Sequence, residues 1–152
     1  MTRQFYVFLA AGGSAALLLG AFAFQHIGGM APCALCIWQR WPHAVAIGLG
    51  VLAVGLGGTA FAWLGALAAL TTAGIGVYHT GVERDWWDGP ATCSGGDVGA
   101  MSADELFNQI MAAPLVRCDE VPWEMLGLSM ASWNAVAALV LAGLWVMAAR
   151  TA

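Results

Sequence analysis

The sequence predicts an all-α membrane protein, a four-helix transmembrane bundle with a short amphipathic helix in its second outer loop. Three observations lead there. The 152-residue chain is 61% hydrophobic and only 9% charged, against about a quarter charged in soluble domains. Four long segments carry one charge between them, and all nine acidic residues are confined to the stretch from Glu83 to Glu124. A net charge of −4 and the absence of lysine also set nucleic acid aside as a partner.

The first span is read over residues 5–24, an uncharged run of 20 residues. At about 1.5 Å per residue it covers the roughly 30 Å of a bilayer's hydrocarbon core. Its apolar run exceeds the ~7–15 residues of a signal-peptide core, so an uncleaved span is expected. The second span, 32–56, holds one charge, Arg40, and the third, 60–78, holds none. Gly57-Gly58-Thr59 leaves room only for a tight turn between them. The fourth, 129–149, is uncharged and ends at Arg150. An even number of spans puts both termini on one side, and Arg3 and Arg150 assign that side to the cytoplasm. Two outer loops follow, 25–31 and 81–128, all within one membrane domain, 1–152. In the longer loop, Ser102-Ala103-Asp104-Glu105 has the form of a capping box, and Leu106, Phe107, Ile110 and Met111 recur at helical spacing before Pro114. Trp86, Trp87, Trp123 and Trp133 stand where an interfacial aromatic belt belongs.

Four cysteines, Cys33 and Cys36 plus Cys93 and Cys118, fall on the outer face in this topology. An even count outside the cytoplasm points to a disulfide system, and spacing alone leaves all three connectivities open. Pro32 suits the first position of a helix, which places both sulfurs of Cys33-Ala34-Leu35-Cys36 in the first turn of span two. The helix dipole there favours thiolate, as a redox pair needs. A zinc site completed by Cys93 and Cys118 is the competing use of such a motif, and a structural staple is the plain use of Cys93 and Cys118. No metal is expected, given the outer location and scattered histidines. Arg40 lies four residues past Cys36 on one helix face. Either it snorkels to the headgroups or it serves Cys36 and a quinone carbonyl. His79 emerges from span three on the same side and is a candidate quinone ligand, whereas His26 and His43 are read as structural.

Three blocks, CALCIWQRW at 33–41, YHTGVE at 78–83 and CDEVPWEMLGLSMASWN at 118–134, resemble the DsbB family of disulfide bond formation proteins. The resemblance runs from span one to span four and includes the order of the cysteines. It implies a quinone-dependent protein dithiol oxidoreductase of the bacterial inner membrane that reoxidises a periplasmic DsbA-like thioredoxin-fold protein. It implies that Cys93–Cys118 accepts electrons, with Cys93 forming the mixed disulfide, and that Cys118 then exchanges with Cys33. Cys36 would face ubiquinone or menaquinone, forming a transient charge-transfer complex beside Arg40 with His79 nearby. Pro42 lies outside the matched motif and bears on the shape of the quinone pocket. A vitamin K epoxide reductase-like thiol and quinone oxidoreductase is the nearer rival, and the position of CxxC at the start of span two argues against it. A non-catalytic membrane protein with structural disulfides or zinc is the rival from another class.

Overall fold

The computed structural model describes residues 2–90 and 116–151, together with residues 93, 102, 104, 107 and 111. Four long helices dominate, α1 (Arg3–His26), α2 (Ala34–Gly55), α3 (Ala60–Glu83) and α4 (Met130–Arg150). A two-stranded hairpin, β1 (Glu124–Met125) and β2 (Leu128–Ser129), precedes α4. The amphipathic helix expected over 102–111 lies largely outside the described residues.

Each helix packs on two neighbours: α1 on α2 and α4, and α3 on the same two. Connections at alternate ends, short between α1 and α2 and between α2 and α3 and long between α3 and α4, make this an up-down-up-down ring, the simplest way for four apolar rods to cover one another. Small residues set the spacing. Ala10, Ala46, Ala62, Ala66, Ala142 and Ala148 are buried in the central cluster, and Trp145 of α4 fills the remaining space. The Trp145 indole lies flat against α3 at Gly65, where a Cβ would stand 2.5 Å from Cδ2. Close backbone approach of this kind is how helices gain dispersion energy when the surroundings are as apolar as their side chains. The outer faces confirm that solvent. Leu19, Val51, Leu67 and Val140 are exposed, so the helices are apolar nearly all round, as membrane spans are.

By length and composition, α1, α3 and α4 are each suited to crossing a membrane. The chain is thus a multi-pass membrane protein. Helix α2 has 22 residues but does not meet the same apolarity, because Gln39, Arg40, Pro42 and His43 crowd its first half. The reason for those polar residues is the site described below. Helix α2 runs through Pro42, and Thr72 Oγ1 of α3 donates to the Gln39 carbonyl just upstream, at 2.9 Å.

Two local details depart from the sequence reading. Pro32 does not open α2. The helix begins at Ala34 with Cys33 as its N-cap, whose sulfur accepts the Cys36 N–H at 3.2 Å. A sulfur in the capping role occupies one of the unsatisfied first-turn donors and moves the start by two residues. The hairpin at 124–129 was not foreseen either. Its turn residues Leu126 and Gly127 both have positive φ, 56° and 76°, the geometry of a tight hairpin turn. The sequence offers only Gly127 as a signal. Trp133 Nε1 donates to the Met125 carbonyl at 3.1 Å and Arg84 to the Gly127 carbonyl at 3.3 Å, which supply the restraint.

Candidate active site

At the end of the bundle where α2 and α4 begin and α1 and α3 finish, a second buried cluster forms from Cys33, Leu35, Val82, Cys93 and Cys118, with Cys36 and Val116 packed on it. All four cysteines therefore share one small core, although 85 residues separate Cys33 from Cys118 along the chain (118 − 33). Cys93 and Cys118 are joined as a disulfide with Cα atoms 5.0 Å apart. The Cys118 N–H donates to the Cys93 carbonyl at 3.0 Å, and the Cys93 N–H to Pro90 at 2.7 Å. Arg117 and Asp119 flank Cys118. The Arg117 guanidinium donates to both Asp119 carboxylate oxygens and holds that carboxyl below the usual carboxylate range.

Cys33 and Cys36 are free thiols with sulfurs 2.6 Å apart. Cys33 is buried and Cys36 half-buried. The Cys33 sulfur, the Cys118 sulfur and a ring nitrogen of His79 all lie within 4.8 Å of one another. This puts a sulfur of the loop pair within a short movement of a sulfur of the helix pair, as thiol–disulfide exchange requires. The same three groups have the elements of a metal site. In the disulfide form Cys118 has no thiolate to give, so metal binding there requires the loop pair to be reduced.

His79 reaches this junction from the last turns of α3. Its Nε2 is 3.6 Å from Cys33 Sγ and 3.8 Å from Glu83 Oε1, and its Nδ1 is 2.9 Å from Gln39 Nε2. Glu83 is nearly fully buried and accepts a hydrogen bond from the Ser129 hydroxyl. Gln39 continues inward to Asn134 of α4, which in turn meets His43.

Beside the cysteines lies a cavity of about 420 Å³ between α1, α2 and α4. Its wall is mostly apolar, from Leu17, Phe24, Ala131 and Ala137 among others, and Cys36, Arg40, His79 and Glu83 line it. Arg40 is held there by α1: Nη1 donates to Gln25 Oε1 at 2.5 Å, Nη2 to the Ala21 carbonyl at 3.5 Å, and the guanidinium sits 5.0 Å over the Phe22 ring. A guanidinium fixed by one side-chain oxygen, one backbone carbonyl and a ring has not simply extended into solvent. The slot thus offers polar partners, a cation, an imidazole and a thiol, beside a mostly apolar wall.

Every candidate residue from the sequence thus lies at one end of the bundle. Sequence reasoning missed Gln25, Gln39, Glu83 and Asn134, and it placed His43 outside the site although it joins this polar line. The available signal was weak: Gln39 and Asn134 are neutral amides inside spans that were recognised by counting charges. A buried polar group in a membrane helix calls for a partner in the same way that a charge does.

The profile of disulfide bond formation protein DsbB matches residues 3–148. Among similar proteins, disulfide bond formation protein B of Hahella chejuensis is 31% identical, covering 97% of this chain and 92% of its own. That of Azoarcus sp. is 31% identical over 90% and 87% of the two chains, and that of Verminephrobacter eiseniae 37% identical over 78% and 70%. A clustered set of four cysteines at one end of a membrane bundle, matched over nearly the whole chain, leads to one assignment: the chain belongs to the DsbB family, the disulfide-forming oxidoreductases.

Proposed function

We propose that this chain spans the bacterial inner membrane four times, with both termini cytoplasmic, residues 25–31 and 81–128 periplasmic, and the whole of 1–152 one domain. We further propose that it reoxidises a DsbA-like thioredoxin-fold protein through Cys93–Cys118 and Cys33–Cys36 and delivers the electrons to ubiquinone or menaquinone. The observation that carries this reading is the approach of Cys33 and Cys118 sulfurs to within 4.8 Å.

The exchange balances as follows. A donor thiolate attacks Cys93, the Cys93–Cys118 bond breaks and Cys118 leaves as thiolate. With the helix pair oxidised, Cys118 attacks Cys33, and the electron pair of the Cys33–Cys36 bond leaves on Cys36. The donor's second thiolate then releases Cys93, which attacks Cys118, restoring the loop disulfide and freeing Cys33. Cys93 is 1% exposed, so the loop must open around it when the donor enters. Cys33 and Cys36 would close to a disulfide and give up two electrons and two protons, which a quinone held in the cavity would take up. Arg40 would hold its carbonyl with a fixed fork of donors, His79 and the Cys36 thiol would border the head, and the apolar wall would exclude water. Position at the start of α2 favours the Cys36 thiolate, which makes it the better leaving group.

The double variant Cys36→Ser/Cys93→Ser tests the exchange geometry. Under mild oxidation it should accumulate a Cys33–Cys118 disulfide, read by peptide mass mapping. Retention of two free thiols would reject the route, and one equivalent of tightly bound zinc in the reduced wild type would favour the metal reading instead.

A further inference from the structure

Five side chains form a continuous line from the cysteines into the bundle: Cys33, His79, Gln39, Asn134 and His43. The separations are 3.6, 2.9, 2.7 and 2.9 Å. Which way the hydrogen bonds run is decided by partners that have no choice. Gln39 Nε2 lies 3.2 Å from the Leu35 carbonyl, which only accepts, so that atom is the amide nitrogen and His79 Nδ1 must accept from it. Thr72 spends its only proton on the Gln39 carbonyl, so its oxygen accepts at 3.3 Å from Asn134 Nδ2. Asn134 Nδ2 therefore donates to Gln39 Oε1, and Asn134 Oδ1 accepts from His43 Nε2. His43 Nδ1, buried without a partner, is the bare acceptor at which the line ends.

We infer that Gln39, held by Asn134 and Thr72, locks His79 in the Nε2–H tautomer and turns that N–H toward the Cys33 sulfur at 3.6 Å, with the Cys118 backbone and, at 3.8 Å, the Glu83 carboxylate as the other acceptors it meets. With Nδ1 occupied by a donor and Nε2 carrying the proton, His79 has no lone pair to offer Cys33 and is not its base. The Cys33 sulfur instead meets two N–H groups, His79 Nε2–H and the Cys36 backbone N–H at 3.2 Å. Every bond of the line donates toward the cysteines, so each polarises the next and the last N–H is the strongest. Cys33 Sγ in turn donates to Cys36 Sγ at 2.6 Å, so donors on Cys33 strengthen that bond and stabilise the Cys36 thiolate of the reduced pair, which makes the pair easier to reduce, the direction a terminal oxidant of thiols needs. Gln39 is thus a positioning residue that acts through His79. This function for the pair rests on the proposed relay, whereas the tautomer does not.

Two measurements test it. In selectively 15N-histidine-labelled protein in detergent, with His79 assigned by comparison with His79→Gln, neutral His79 should show a protonated Nε2 and a bare Nδ1. In Gln39→Glu, a near-isosteric change that presents only acceptors, Nδ1 should gain a proton. The equilibrium of the Cys33/Cys36 pair with a defined dithiol buffer should shift about tenfold against reduction in Gln39→Leu, about 30 mV. In a His79→Phe background the same substitution should add nothing. A bare Nε2 in the wild type would overturn the proposal, as would a Gln39→Leu effect of equal size with and without His79. The labelling experiment needs neither quinone nor donor protein, so its outcome stands apart from that of the relay.

Discussion

Replacing Arg40 by methionine keeps most of the side-chain length and removes the only cation inside α2. In the structure the guanidinium is tied to Gln25 and Ala21 of α1 and lies over Phe22, with its remaining donors available to the cavity it lines. A hydrogen bond from a charged donor contributes about 1.5–3 kcal/mol. At 1.36 kcal/mol per factor of ten, losing one such bond to a quinone carbonyl should raise the quinone KM roughly 10- to 150-fold. The maximal rate of donor oxidation at saturating quinone should change far less. Two variants separate binding from tethering. Arg40→Lys restores the charge without the planar fork and should give an intermediate KM. Gln25→Leu cuts the tie to α1 but leaves the cation, and should alter KM by less than Arg40→Met. The assay is quinone absorbance against quinone concentration, with purified folded variants and a reduced DsbA-like donor. An unaltered KM in Arg40→Met, with only yield or thermal stability reduced, would refute the reasoning and leave Arg40 as a helix tether.

Topology is checked by membrane-impermeant thiol labelling of single-cysteine variants in intact cells with the outer membrane opened: a cysteine placed at the exposed Leu126 should react, and one placed at Gly58 should not. Labelling only after the inner membrane is permeabilised would reverse the orientation. Gly65→Ala forces a methyl into the Trp145 indole, and overpacking of this kind costs about 1–3 kcal/mol. It should therefore lower the thermal midpoint, and the double variant Gly65→Ala/Trp145→Leu should recover part of the loss. An unchanged midpoint in Gly65→Ala would show that α3 and α4 have room to separate.

The helices were legible because their signal is long and additive: three apolar runs stand out over about 20 residues, and the fourth, α2, was legible as a run holding a single charge. Their ends were less so. Helix α3 extends to Glu83 rather than stopping at residue 78, because His79 and Glu83 carry on one helical turn apart into a buried polar site that hydropathy reads as solvent. The cysteines were legible as two pairs by type and spacing, and the family resemblance supplied the order of use proposed for them. Their gathering into one core was not readable from spacing, since it depends on the loop folding back over the ends of α2 and α3. The amide line was hidden for a different reason. Gln39, Thr72 and Asn134 each look like an isolated tolerable polar residue in its own span, and their meaning appears only when three helices bring them within hydrogen-bond distance. Arg40 was legible as a charge inside a span on the face of Cys36, while its tie to Gln25 was not, because nothing in either segment fixes the rotation of α1 against α2.

The central claim, electron flow from the loop pair through the helix pair to quinone, is tested most directly by quinol formation from a reduced DsbA-like donor in wild type, Cys93→Ser and Cys36→Ser. The account predicts one quinol per donor dithiol for the wild type and none for either variant, with Cys36→Ser still capturing the donor as a mixed disulfide at Cys93 while Cys93→Ser captures none. Quinol formation by Cys36→Ser at the wild-type rate, or full activity of Cys93→Ser with the protein donor, would contradict it.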